Sequence, residues 1–137
     1  MLTIDKIFHA SLVLKDIIRP TPLAKAYGFS KDFTLYFKPE NLQRTGSFKL
    51  RGSGYKISQL SDEEKAKGVI ACSAGNHAQG VALAATRNGI KSTICLPDCA
   101  PISKVEATRG YGAEICLFKH IEVLLEVTAM HTSIDEL

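Results

Sequence analysis

The run VIACSAGNHAQGVALAATRNGIKSTICLPDCAPISKVEATRGYGAEICLF, Val69 to Phe118, decides the fold. VIACSA, STICLP and AEICLF are short, largely apolar runs, so each reads as a buried strand. Between them, AGNHAQGVALAATRNG reads as a turn and a small-residue helix closed by Gly89. ISKVEATRG reads as a second helix, stopped by Gly110. Strand–helix alternation with continuous apolar strands predicts a parallel sheet with helices on its faces. In such sheets ligands gather beyond the carboxyl ends of the strands, where helix N-termini point. SAGNHAQG, Ser73 to Gly80, lies at such a place. Ser73, Gly75, Asn76 and His77 bring hydroxyl, amide and imidazole groups together with free backbone N–H groups, a set suited to a carboxylate or phosphate. A plain βα turn would also use glycine at positive φ and Ser or Asn as a cap, so on these residues the two readings stand level. The stretch is neither a Walker loop nor GxGxxG.

Working towards the N-terminus, SDEEKAKG opens with Ser61 and Glu64 at capping-box spacing and ends at Gly68. TGSFKLRG, Thr45 to Gly52, places a lysine where a helix begins, and GYKISQL continues that helix. Ser47 suits the cap; Lys49 does not, because the positive end of the helix dipole disfavours a cation. Such a field favours the neutral amine, which is a nucleophile. FTLYFKPE alternates as a strand ending at Pro39, and RPTPL ends a helix expected over residues 4–18.

The 137 residues suit one ordinary domain, and 45% apolar with 23% charged residues is a globular composition. The net charge of +3 comes from scattered basic residues, so nucleic acid is not an expected partner. No apolar run reaches the ~20 residues of a membrane helix, and no signal-peptide pattern opens the chain. Cys72, Cys95, Cys99 and Cys116 are expected as buried, reduced core thiols, which favours the cytoplasm; no spacing completes a metal site.

Taken together, KPENLQRTGSFKLRG (Lys38 to Gly52) and SAGNHAQGVA (Ser73 to Ala82) closely resemble the serine/threonine dehydratases. These belong to the tryptophan-synthase-β group, the fold-type II pyridoxal-phosphate (PLP) enzymes. LPDCAPISKVEATRGYGAE resembles the same family, and the likeness runs from Thr21 to Phe118. Ala74 looks more like the threonine dehydratases than the serine racemases, which have a serine at that place. The resemblance implies that Lys49 forms a Schiff base with the cofactor and then acts as general base. Phe48 would pack on the pyridine ring, and Asn76 would hydrogen-bond the cofactor's 3′-oxygen. Ser73, Ala74, Gly75, Asn76 and His77 would hold the substrate carboxylate. The implied reaction is PLP-dependent β-elimination, giving 2-oxobutanoate and ammonia from L-threonine, or pyruvate from L-serine. Arg51 is expected to be structural, and Arg44 and Thr45 are candidates for contact with a nucleotide effector. The family's full-length members are expected to be homo-oligomers.

The resemblance also sets expectations of organisation. Residues 1–45 would be a helix, extended stretch and strand from the larger domain of such an enzyme. Residues 46–118 would be most of the small α/β domain, with Schiff-base lysine and SAGNH loop; residues 119–137 are a tail unlike the family. The ten glycines never stand side by side, so the family's glycine-rich phosphate loop is missing, and the chain reads as an N-terminal fragment of doubtful independent activity. Two other readings are an inactive, associating fragment and a small α/β module that binds a carboxylate or nucleotide.

Overall fold

A computed structural model describes residues 1–119. The predicted alternation is present: β3 (Val69–Cys72), α4 (Asn76–Arg87), β4 (Ser92–Pro97), α5 (Ile102–Gly110) and β5 (Glu114–Phe118) follow one another. Their three strands form one parallel sheet in the order β3-β4-β5. Because the connections are parallel crossovers, α4 and α5 both begin at the carboxyl edge of this sheet.

α4 lies between the sheet and α2 (Lys49–Ser58). That position explains its composition, since a helix covered on both sides must be apolar or small nearly all round. Ala78, Ala82, Ala84 and Ala85 are all buried, and they pack with Leu50, Ile57, Ile94 and Leu96. The approach is tightest at Gly80, where an added Cβ would stand 3.2 Å from the carbonyl carbon of Lys49 and 3.3 Å from the amide nitrogen of Leu50. Only glycine allows the two backbones so close.

The N-terminal part departs from its expected form. α1 spans Ile4–Val13 and stops short of the helix expected to residue 18. Its Ile4, Ile7, Phe8 and Leu12 are exposed, whereas Leu14 and Ile17, in the turns that follow, are buried. Those two side chains pack over the bare Cα of Gly54 in α2. The strand read in FTLYFKPE shortens to β2 (Leu35–Phe37), paired antiparallel with β1 (Ala24–Ala26), which the sequence did not announce. α3 (Asp62–Lys67) has its capping box: Ser61 Oγ accepts from the Glu64 N–H, and the Glu64 carboxylate accepts from the Ser61 N–H. At the end of α5, Gly110 is the last helical residue, and the positive φ of +94° falls on Gly112 instead.

The cysteines correct an expectation. Cys72 and Cys95 are half-buried, and Cys99 and Cys116 are exposed. Cys72, Cys95 and Cys116 are in register across the three strands, so they form one row. Ser92, Ile94 and Leu96 alternate with them towards the core, and the thiol face has no helix on it among the described residues. The four thiols are free. The tail expected at 119–137 lies, beyond Lys119, outside the described residues.

Candidate active site

Lys49 is the first residue of α2, and the N-cap is Phe48, without a side-chain cap, rather than the expected Ser47, whose Oγ accepts the Lys49 backbone N–H at 3.2 Å. The side chain is exposed, with Nζ 5.2 Å from the centroid of the neighbouring Phe48 ring, within the reach of a cation–π contact. Phe48 is itself 59% exposed and presents a bare aromatic face.

Three contacts fix this helix end. Ser53 Oγ donates to the Lys49 carbonyl at 3.0 Å, and Gly80 of α4 abuts the same peptide. Arg51 donates through Nε and Nη2 to both oxygens of Glu40, at 2.8 and 2.7 Å. Thr21 Oγ1 donates to Glu40 as well, at 2.6 Å. These bonds to Arg51 and Thr21 outweigh burial and hold the Glu40 carboxyl well below its ordinary range, at about 2. Arg51 is thus structural, as expected, and its partner Glu40 carries the PEN stretch onto the lysine-bearing helix.

The SAGNH loop leaves β3 at the carboxyl edge of the sheet. Two of its N–H groups are already engaged: Ser73 N–H donates to the Cys95 carbonyl at 3.1 Å, and Gly75 N–H to Ser73 Oγ at 3.3 Å. Ser73 therefore shapes the loop. Among the described residues no side chain caps α4, which leaves its first turn open to a ligand oxygen. Gly75 does not have the positive φ that a plain turn would require; its φ is −134°. A Cβ placed there would meet nothing within 4 Å, so neither backbone conformation nor protein packing accounts for the glycine. The open Cα leaves room for a ligand to approach the loop.

Asn76 is the first residue of α4 and is exposed; Ser73, Ala74, Gly75 and His77 are half-buried. Asn76 stands one helical turn before Gly80, on the same face. The lysine-bearing end of α2 and the loop thus meet through Gly80. Sequence reasoning missed Lys104, whose Nζ donates to Asn76 Oδ1 at 3.4 Å from the first turn of α5. The signal was available: both helices start at one sheet edge, so their first turns are neighbours. Arg44 is exposed, whereas Thr45 is buried with Oγ1 lacking a hydrogen-bond partner, so of the two only Arg44 faces solvent. Among the described residues no group of three or more His, Cys, Asp or Glu could hold a metal ion, and no helix is long and apolar enough to cross a membrane.

A helix-borne lysine beside an uncapped helix N-terminus and an open glycine, at the edge of a parallel sheet, suits an aldehyde cofactor with anionic oxygens. The family model described as "Pyridoxal-phosphate dependent enzyme" matches residues 14–133, and the chain belongs to that family. Within it, the chain is 52% identical over 120 residues to the catabolic L-threonine dehydratase TdcB of Staphylococcus aureus (strain N315). That match covers 85% of this chain and 35% of the relative, so the chain spans about a third of the relative's length. Among solved structures, maize serine racemase superposes with a TM-score of 0.82 at 35% identity, over 94% of this chain and 41% of the racemase. The processed form of threonine deaminase isoform 2 from Solanum lycopersicum superposes with a TM-score of 0.78 at 36% identity, over 94% of this chain and 41% of that one.

Proposed function

We propose that this chain carries the lysine-bearing half-site of an L-threonine dehydratase and binds pyridoxal phosphate through Lys49. The observation that carries the reading is the contact at Gly80, which sets the start of α2 against α4 one turn from Asn76. The 52% identity to a threonine dehydratase supports the substrate. The overall reaction converts L-threonine to 2-oxobutanoate and ammonia; L-serine would give pyruvate and ammonia. When bound, PLP supplies an electron sink for the substrate α-carbon. Phe48 would offer its face to the pyridine ring, and the Asn76 amide would donate to the ring oxygen. The uncapped first turn of α4 and the loop at Gly75 orient the substrate carboxylate. Lys49 Nζ would hold the cofactor and would serve as general base for the substrate's α-proton. The host of such a reaction is a cytoplasmic, homo-oligomeric enzyme; a nucleotide effector would be met by Arg44.

A second reading has one observation in its favour. Five of the six phenylalanines, at positions 8, 29, 33, 37 and 48, are exposed, which suits a chain that holds the half-site but turns over only when associated. One experiment tests both. The chain is mixed with PLP, reduced with borohydride, digested and mapped by mass, and 2-oxobutanoate is assayed in parallel. An adduct confined to Lys49, competed by threonine and lost in Lys49→Ala, supports the assignment; product formation supports the full activity, and its absence the second reading. Adducts scattered over many lysines would overturn the site.

A further inference from the structure

The Lys104 side chain does not enter the reading above. It stands third in α5, half-buried, and its side chain hydrogen-bonds Asn76, 28 residues earlier in the chain. An ammonium group has donors and no acceptor, so the asparagine atom it touches must be the carbonyl oxygen. That settles the direction of the whole amide: with Oδ1 drawn towards α5, the NH2 group lies on the far side of the side chain, away from Lys104. Without this partner the two orientations of an exposed asparagine would differ little, and half of them would present an acceptor to the site.

We infer that Lys104 is a positioning residue that locks the Asn76 amide as a hydrogen-bond donor towards an anionic oxygen of the ligand. The identity of that oxygen, on the cofactor ring, rests on the reading above; the locked amide does not. The arrangement is chemically asymmetric. An acidic residue at 104 would accept from the NH2 and turn the carbonyl outward, against an anion, and an amide residue would permit either orientation. A lysine enforces the donor and adds a positive charge to the same corner, beside the uncapped start of α4.

The test uses the 137-residue chain with 15N label, in the wild type and in Lys104→Met, Lys104→Arg, Asn76→Ala and the Lys104→Met/Asn76→Ala double variant. The expected result is that Lys104→Met shifts the Asn76 side-chain amide resonances without changing the unfolding midpoint, and that Lys104→Arg restores them. Resonances unmoved in Lys104→Met would overturn the inference, whatever the chain does with PLP. The ligand arm uses pyridoxal beside PLP, because pyridoxal has the ring oxygen but no phosphate. Lys104→Met and Asn76→Ala are each expected to weaken both ligands by about three- to tenfold, the scale of one hydrogen bond, with the double variant no weaker than Asn76→Ala. Loss for PLP but not pyridoxal would show Lys104 attracting phosphate directly, and would also overturn the positioning role. If the wild type forms no adduct at Lys49, the cofactor reading fails, and the resonance shift still decides whether Lys104 orients Asn76.

Discussion

At Gly75 a ligand loop and a plain turn predict different behaviour. With φ at −134° and nothing within 4 Å of the place its Cβ would take, Gly75→Ala should fold with a midpoint within about 0.5 kcal/mol of wild type. Yet the added methyl would stand where a ligand must pass. Borohydride-fixed PLP at Lys49 should therefore fall severalfold while denaturation curves overlay. Equal losses of both would make the glycine structural. Glu40 gives the opposite case, a residue whose role is stability. Its carboxyl titrates at about 2 when folded, against an ordinary 4.5, because Arg51 and Thr21 stabilise the anion. A depressed folded pKa means the contribution is fully present above about 4.5 and is lost as pH falls towards 2. The pair is partly shielded, with side-chain exposures of 14% for Glu40 and 32% for Arg51, so about 1–3 kcal/mol is at stake. Glu40→Gln should lose that amount in urea titrations at about pH 7. Its stability should then fall less than wild type's between about pH 5 and pH 3; parallel pH profiles would show that the carboxylate contributes nothing.

Among the elements, the contact between α2 and α4 carries the site. A side chain at position 80 would press on the Lys49 and Leu50 backbone at 3.2 and 3.3 Å, and on Ser53 Oγ at 2.8 Å. The serine hydroxyl can rotate, but the two backbones cannot separate without opening the core around Leu50 and Ala78. Gly80→Val is expected to cost about 1–3 kcal/mol by overpacking and to weaken the Lys49 adduct together with the midpoint. A variant of wild-type stability would mean the helices stand further apart than 3.3 Å implies. The same element shows what the sequence made legible. Three apolar runs separated by glycine-ended helices gave the sheet, because strand burial and helix endings are written locally. TGSFK and SAGNH were each legible as a helix start, where polar groups converge, and it was the resemblance to a family that joined them into one site. What the sequence hid depends on partners far along the chain. β1 exists only because Leu35–Phe37 lies opposite it, and Gly110 looked like the helix stop until Thr86 and Tyr111 shaped the turn around Gly112. Lys104 was hidden for the same reason, since its meaning lies in Asn76 on another helix.

For the molecule as a whole, the question is which faces are covered, and the thiols report on it. Cys72, Cys95 and Cys116 were expected inside because their strands are apolar, but a strand's sequence does not say whether both of its faces are packed. Here the core face is filled by α4, and the thiol face is open among the described residues. Burial first, and then the flanking thiols of Cys72 and Cys116, push the central Cys95 thiol up to about 12. Its thiolate is therefore scarce at about pH 8, whereas alkylation requires the thiolate. Iodoacetamide followed by peptide mapping should therefore modify Cys99 and Cys116 first, Cys72 more slowly and Cys95 last. The informative failure would be protection of Cys116 alongside Cys95, since its exposure predicts that it reacts. Repeating the reaction over a range of chain concentrations separates the causes. Protection that disappears on dilution would place a second copy of the chain on the open sheet face, in keeping with the exposed phenylalanines at the N-terminal end. Protection that persists would mean the chain covers that face itself.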